Sequence, residues 1–250
     1  MPEAPEISFL KNKLQEYVKN QTIIQTYILR GKYATHGPPK NFNKVENQKV
    51  QKIHKKGKKL ALELHNGYYI IISLGLFGWL FIKDKNTQYE KHDSVVFKIN
   101  DNYNLIFNDK VSFGSIVIAR SLPFDEIAPD IMDTNTTFNI FQKRLYKKGK
   151  NKRLCKILLE QSASKGIISG IGNYLKAESL YMARLSPFRI CSSLNTHEQY
   201  QLFIGLKDRS FTSDDFLVYK QNFDPNGYKV IKDNTCDTSR TTYWVPDVQN

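Results

Sequence analysis

The sequence predicts an α+β protein: an N-terminal helix with a β-sandwich, then a helical stretch, then a closing β-hairpin. Three observations predict it. Between residues 22 and 120, short apolar runs rich in Ile, Val, Tyr and Phe alternate with Asn- and Gly-bearing breaks. Beyond Leu122-Pro123, apolar residues recur at helical spacing with basic faces between them. Near the end, Asp224-Pro225-Asn226-Gly227 marks a tight turn between strand-like runs.

Taken in order, Ile7, Leu10, Leu14 and Val18 stand three and four apart with Lys11, Lys13, Gln15 and Lys19 between them, an amphipathic helix over 5–20 opened by Pro5. Strand-like runs follow at 22–29, 59–64, 68–73, 78–83, 94–99, 103–107 and 115–119, which pack as a β-sandwich or flattened barrel. The Lys-rich clusters at 52–59 and 143–156 read as solvated faces. Helical spacing appears at 137–146, 152–161, 173–184 and 195–209, and strand-like texture returns from Phe216. The boundaries this implies are 1–122 for the sandwich with its helix, 123–212 for the helical domain and 213–250 for the hairpin.

At 250 residues and 40% hydrophobic content, the chain can build its own core, and a monomer is expected. Lys plus Arg number 37 against 24 acidic residues, a net charge of +13 that suits a polyanion such as nucleic acid. Apolar stretches such as 68–73 and 74–82 are too short to span a bilayer and no secretory h-region is present, so no membrane partner and a soluble, intracellular protein are expected. Cys155, Cys191 and Cys236 are odd in number and widely spaced, which predicts structural thiols with neither a disulfide framework nor a Cys-x-x-Cys metal site. No cofactor is called for.

Chemistry concentrates in five places. Removal of Met1 would leave Pro2 as a secondary amine with Glu3 beside it. An α-amino group ionises near pH 8, so part of it is nucleophilic at neutral pH; adding at an aldehyde-like carbon, it forms an iminium electron sink while a carboxylate moves protons. Many chains begin Met-Pro with no catalytic purpose, and the remaining features weigh against that reading. Ser169-Gly170-Ile171-Gly172-Asn173-Tyr174 fits a crowded turn in which Asn173 caps a helix whose free amides would bind a phosphate, and fits equally an ordinary helix–turn–helix connection. Gly57-Lys58 closes a basic cluster ahead of an apolar strand, and Ser73-Leu74-Gly75-Leu76-Phe77-Gly78 forms a glycine-flanked loop able to push an apolar tip into a base stack, although Leu76 taken alone reads as a core residue. Ser239-Arg240-Thr241-Thr242-Tyr243-Trp244 offers an arginine at a hairpin tip for a phosphate.

The order of Pro2-Glu3-Ala4-Pro5-Glu6, Gly57-Lys58, Leu74-Gly75-Leu76, Lys91-His92-Asp93, Phe113-Gly114, Ala128-Pro129-Asp130, Gly170-Ile171-Gly172-Asn173 and Arg240-Thr241-Thr242-Tyr243 resembles the formamidopyrimidine-DNA glycosylase and endonuclease VIII family across essentially the whole chain. The resemblance implies a β-sandwich joined to a helix-two-turn-helix domain and a hairpin finger. It implies that Pro2 is the Schiff-base nucleophile at C1′ of a damaged nucleotide, Glu3 a proton donor and Lys58 a lysine assisting base removal and β-elimination. Arg240 and Asn173 would grip phosphates, His92 would contact the DNA backbone, and Leu76 and Phe113 would fill the gap left by the everted nucleotide. The activity implied is a bifunctional glycosylase and AP lyase acting on damaged DNA, with a catalytically silent damaged-DNA binder as the alternative; an RNA-binding module lacks its aromatic stacking motif.

The chain also departs from that family. Its finger often holds zinc with four cysteines, whereas only Cys236 stands here, so no metal is expected; 224–230 and 240–246 resemble the zincless finger. Val111 replaces a common arginine that reads the opposite base, and Ser73 and Ser94 replace common histidines. A short stretch from Leu206 to Phe216 implies loss of a lesion-covering loop and a preference for oxidised pyrimidines and hydantoins. An insertion near Ser162–Gly166 has no explanation in the sequence.

Overall fold

The computed structural model describes residues 2–212, 215–236 and 240–250; Met1, Ser239 and part of the Leu206–Phe216 stretch, all singled out above, lie outside the described residues. The chain forms two compact units, one holding Pro2 and Glu6–Phe124, the other Glu3–Pro5 and Asp125–Asn250.

Helix α1 (Ala4–Tyr17) turns Ile7, Leu10 and Leu14 inward, as the spacing predicts. The strands of the first unit are β1 (Thr22–Ile28), β2 (Gln48–Lys56), β3 (Lys59–Leu64), β4 (Tyr69–Ser73), β5 (Gly78–Asp84), β6 (Asp93–Ile99), β7 (Tyr103–Asp109) and β8 (Ser115–Ala119), with a short helix α2 (Lys32–His36) after β1. Every pairing is antiparallel, in the order β5-β7-β6-β1-β2-β3-β4-β8. The strand register between the two halves is short, Thr22↔Lys49 and Ile23↔Gln48. Side chains from both, including Leu60, Leu62, Ile70 and Ile72 from one and Val95, Phe97, Leu105 and Phe107 from the other, meet in one core with α1, which makes the sheet a sandwich.

Strand β2 corrects the sequence reading, which took Lys52–Lys59 for a solvated face. Its inward residues are Val50 and Ile53, three apart instead of two, because a bulge between Val50 and Lys52 shifts the register. Lys52 is exposed, while Lys55 and Lys56 are half-buried and Lys56 donates to the Phe124 carbonyl, all on a central strand.

The second unit holds α3 (Phe138–Arg144) continuing into a π-turn over Leu145–Gly149, then α4 (Leu154–Ile157), α5 (Asn173–Met182) and α6 (Thr196–Phe211). Thr137 caps α3, and a reciprocal Asn195/Glu198 capping box opens α6. The predicted helix over 152–161 shrinks to α4, whose first amides are drawn instead to the carbonyls of Arg189 and Pro187. The insertion near 162–166 finds its reason in Arg144, whose guanidinium donates to the carbonyls of Ala163, Gly166 and Ile167 at 2.6–2.7 Å. Burial depresses that guanidinium's pKa.

The finger begins with the Asp224 turn, in which the Asp224 carboxylate accepts from the Asn226 and Tyr228 amides and from the Tyr181 hydroxyl. It ends in β9 (Ile231–Asp233) paired with β10 (Thr242–Trp244). Tyr181 and Ala177 of α5 pack with Val218, Val230 and Val245 beneath it. The structural-thiol expectation fails here, because Cys236 of the finger is disulfide-bonded to Cys155 of α4, with Cα atoms 6.4 Å apart. The partners are 81 residues apart in sequence, and nothing local announces the pair. Cys191 stays a buried thiol, its pKa pushed up to about 12 by burial, and so inert. With one cysteine in the finger and that one bonded, the donor set does not fit zinc. Among the described residues, no helix is long and apolar enough to cross a membrane.

Candidate active site

In the second unit the Ser169–Tyr174 turn is sutured to the chain at 128–131: Ser169 donates its amide to Pro129 and its hydroxyl to Ala128, while its carbonyl accepts from Ile131. Gln161 holds the next residues, accepting from the Gly170 amide and donating to the Ile171 carbonyl. This fixes a backbone cradle that only glycines permit. Gly170 has φ +94°, and a Cβ there would lie 2.7 Å from that of Ala4. At Gly172 a Cβ would overlap the carboxyl group of Glu3.

Glu3 fills that cradle. Its carboxylate accepts from the amides of Gly172 (2.7 Å), Tyr174 (3.0 Å) and Leu175 (3.1 Å), and the side chain is buried. The positive end of α5 and three backbone donors therefore converge on one carboxylate. This corrects two expectations. Asn173 does not cap α5, because it is the first helical residue, with Gly172 before it and no side-chain cap; and the first amides are not free for a phosphate, because Glu3 occupies them. The Ala4 amide donates to Gly170, adding a second tie to the residues just after Pro2.

The Asn173 side chain reaches the finger instead, donating from Nδ2 to the Thr241 carbonyl at 2.8 Å. Its Oδ1 is buried with no donor among the described residues. Arg240 is half-buried just ahead of β10. Beside them lies an aromatic cluster that the sequence reading missed. Tyr174 and Phe216 have ring centroids 5.2 Å apart, Phe216 and Tyr219 5.2 Å, and Tyr219 and Tyr243 5.1 Å. Burial raises the pKa of Tyr219, the charges of Glu3 and Tyr243 add to the rise, and a hydrogen bond from Asn173 opposes it. The segment carrying these rings is anchored by Glu178, a fully buried carboxylate that accepts from the amides of Leu217, Val218 and Tyr219 and pairs with Arg209 at 3.5 Å.

In the first unit Pro2 is buried and Lys58 is half-buried in the two-residue turn between β2 and β3, where Gly57 takes φ +55°. His92 is half-buried at the foot of β6; its carbonyl accepts from Asp109, and Asp93 next to it binds the Glu90 amide and the Asn108 side chain. The Leu76 and Phe113 loops are brought together, with Gly75 (φ +63°) so close to the Phe113 backbone that a Cβ would sit 2.6 Å away. Leu76 is half-buried, while Phe77 and Phe113 are 62% and 66% exposed, so the most projecting residue of the first loop is Phe77. Val111 stands on the Phe113 loop, also exposed. Ser94 donates its hydroxyl to the Arg30 carbonyl.

Comparison with known proteins agrees with this layout. Residues 1–116 match the formamidopyrimidine-DNA glycosylase N-terminal domain, 127–208 the H2TH domain and 203–250 the C-terminal domain of the same enzymes. A formamidopyrimidine-DNA glycosylase from Wolbachia pipientis wMel is 30% identical over 83% of this chain and 76% of its own length, and one from Carboxydothermus hydrogenoformans is 30% identical over 83% and 75%. Among solved structures, MutM in complex with DNA containing carbocyclic 8-oxo-G superposes with a TM-score of 0.84 at 20% identity over both full chains, and the Lactococcus lactis Fpg complex with abasic-site DNA gives 0.85 at 20% identity over 99% of each. At that identity the superpositions speak to the fold.

Proposed function

The chain belongs to the formamidopyrimidine-DNA glycosylase family, and from that premise we propose that it is a bifunctional DNA glycosylase and AP lyase that excises oxidised bases, pyrimidines above all. The observation that carries this reading is Glu3 seated on the amides of Gly172, Tyr174 and Leu175. One peptide bond before it, Pro2 would be held as the N-terminal amine once Met1 is removed. Its nitrogen attacks C1′ of the everted nucleotide and the base departs; the iminium acidifies C2′, and loss of that proton breaks the 3′ C–O bond, with δ-elimination cutting the 5′ side. Glu3 relays protons at the sugar, and Lys58 assists base departure and elimination.

Arg240 and Asn173 grip the flanking phosphates and His92 touches the backbone, while Leu76 and Phe113, with Phe77, fill the vacated stack. The Tyr174, Phe216, Tyr219 and Tyr243 rings offer a face for the everted base, since aromatic stacking accepts a damaged ring without demanding one hydrogen-bond pattern. The preference for pyrimidines is supported by the short run from the end of α6 at Phe211 to the Glu178 anchor at Leu217, which leaves little chain to cover a purine. The protein acts as a monomer without metal or cofactor.

Borohydride trapping on duplex DNA carrying an oxidised pyrimidine tests the proposal. A covalent adduct is expected from protein whose intact mass lacks Met1, and Pro2→Gly is expected to abolish it. An adduct unchanged in Pro2→Gly, or none with the processed protein, would sink the reading in favour of a silent binder.

A further inference from the structure

We propose that Lys176 is a positioning residue, which from inside α5 fixes strand β10 and through it the reach of Arg240 toward a DNA phosphate. The inference rests on the reading of Arg240 as a phosphate-gripping residue given above. Lys176 is completely buried and is among the largest fully buried side chains of the protein. A lysine is almost never buried so fully unless its ammonium is held, because removal from water disfavours the charge. At an interior helical position between Leu175 and Ala177, both buried, a methionine would fill similar space without that cost. The charge is therefore kept for something other than stability.

Its Nζ donates to Thr242 Oγ1 at 3.2 Å, and Thr242 is itself buried. One turn earlier on the same face of α5, Asn173 Nδ2 donates to the Thr241 carbonyl at 2.8 Å. Two side chains of one helix thus hold Thr241 and Thr242, the approach to β10 and its first residue, and Arg240 is the residue just before them. The strand needs such help. Among the described residues it spans Thr242–Trp244 and pairs with β9, and a two-stranded ribbon by itself is marginal in water. Without the Lys176 tie, Thr242 loses its side-chain hydrogen bond to α5, and the guanidinium ahead of it samples positions off the phosphate.

The experiment measures affinity for a duplex carrying a stable tetrahydrofuran abasic site by fluorescence anisotropy, alongside thermal unfolding, for Lys176→Met, Lys176→Arg, Arg240→Ala and the Lys176→Met/Arg240→Ala pair. Lys176→Met is expected to melt no lower than the parent yet bind about tenfold more weakly, the scale of one misplaced phosphate contact. Lys176→Arg restores most of the affinity, and in the Arg240→Ala background Lys176→Met adds no further loss. Unchanged affinity in Lys176→Met, or a loss that adds in full to that of Arg240→Ala, overturns the proposal. If Lys176→Met does not fold, Thr242→Val, which removes the acceptor, must show the same weakening, and parental affinity in it overturns the proposal equally. Arg240→Ala binding like the parent would instead remove the phosphate reading beneath it.

Discussion

Gly172 shows how much a single missing methyl group can hold in place. Its φ is not in the left-handed region; what demands glycine is the carboxyl group of Glu3 lying where a Cβ would be. Gly172→Ala is expected to expel that carboxylate from the start of α5 and to cost about 1–3 kcal/mol, the usual penalty for overpacking, read as a lower urea midpoint with an unchanged slope. A midpoint equal to the parent's would mean that Glu3 has room to move. The sequence marked both partners, Pro2-Glu3 and Gly-Ile-Gly-Asn, but not that they meet, because 169 residues separate Glu3 from Gly172. The same limit hid the cluster of Tyr174, Phe216, Tyr219 and Tyr243, whose rings come from an α-helix, an irregular segment and a strand with no shared period. Glu178 was invisible for another reason: a glutamate in a helix reads as solvated until burial is known.

Among the elements, those with a clean period were legible. Strands β1 and β3 to β8 fall within a residue or two of their apolar runs, because a buried strand shows as a short apolar run, while α1 starts one residue before and ends three residues short of the helix expected over 5–20. Strand β2 was lost to its bulge, and α4 to carbonyls supplied from elsewhere in the chain. The turn of the finger was legible as Asp-Pro-Asn-Gly, though its strength lies in a side chain. Burial by itself would raise the pKa of Asp224, but the hydrogen bonds from Tyr181, Tyr228 and Asn226 outweigh it and hold the carboxyl below the usual range. The same contact, with burial as the larger cause, pushes Tyr181 up to about 12. A carboxyl depressed in the folded state stabilises fully above its unfolded pKa, about 3.9. That stabilisation fades as pH falls through the folded value. Asp224→Asn is accordingly expected to lower stability at neutral pH and to narrow its gap from the parent as the solution is acidified below about pH 4. Parallel melting curves for the two proteins over that range would refute the assignment.

At the scale of the whole molecule, the division into a sandwich, a helical region and a finger was readable because each has its own texture of strands, spacing and turns. The chain's crossings between compact units were not: Glu3–Pro5 count with the second unit although the body of α1 belongs to the first. The excess of cations is likewise a property of the whole, and it suits a partner whose charge repeats along its length. The covalent link from Cys155 to Cys236 belongs to this scale too, because it closes a loop of 81 residues that contains α5, α6 and the Asp224 turn. In the chain-entropy picture such a loop stabilises the fold by about 4.5 kcal/mol. Dithiothreitol is expected to lower the melting temperature of the parent and to leave Cys155→Ser unmoved; equal behaviour of the two would show that the link contributes nothing. The finger of this chain is secured by giving up a pair of electrons, and its robustness becomes answerable to whatever thiol pool surrounds it.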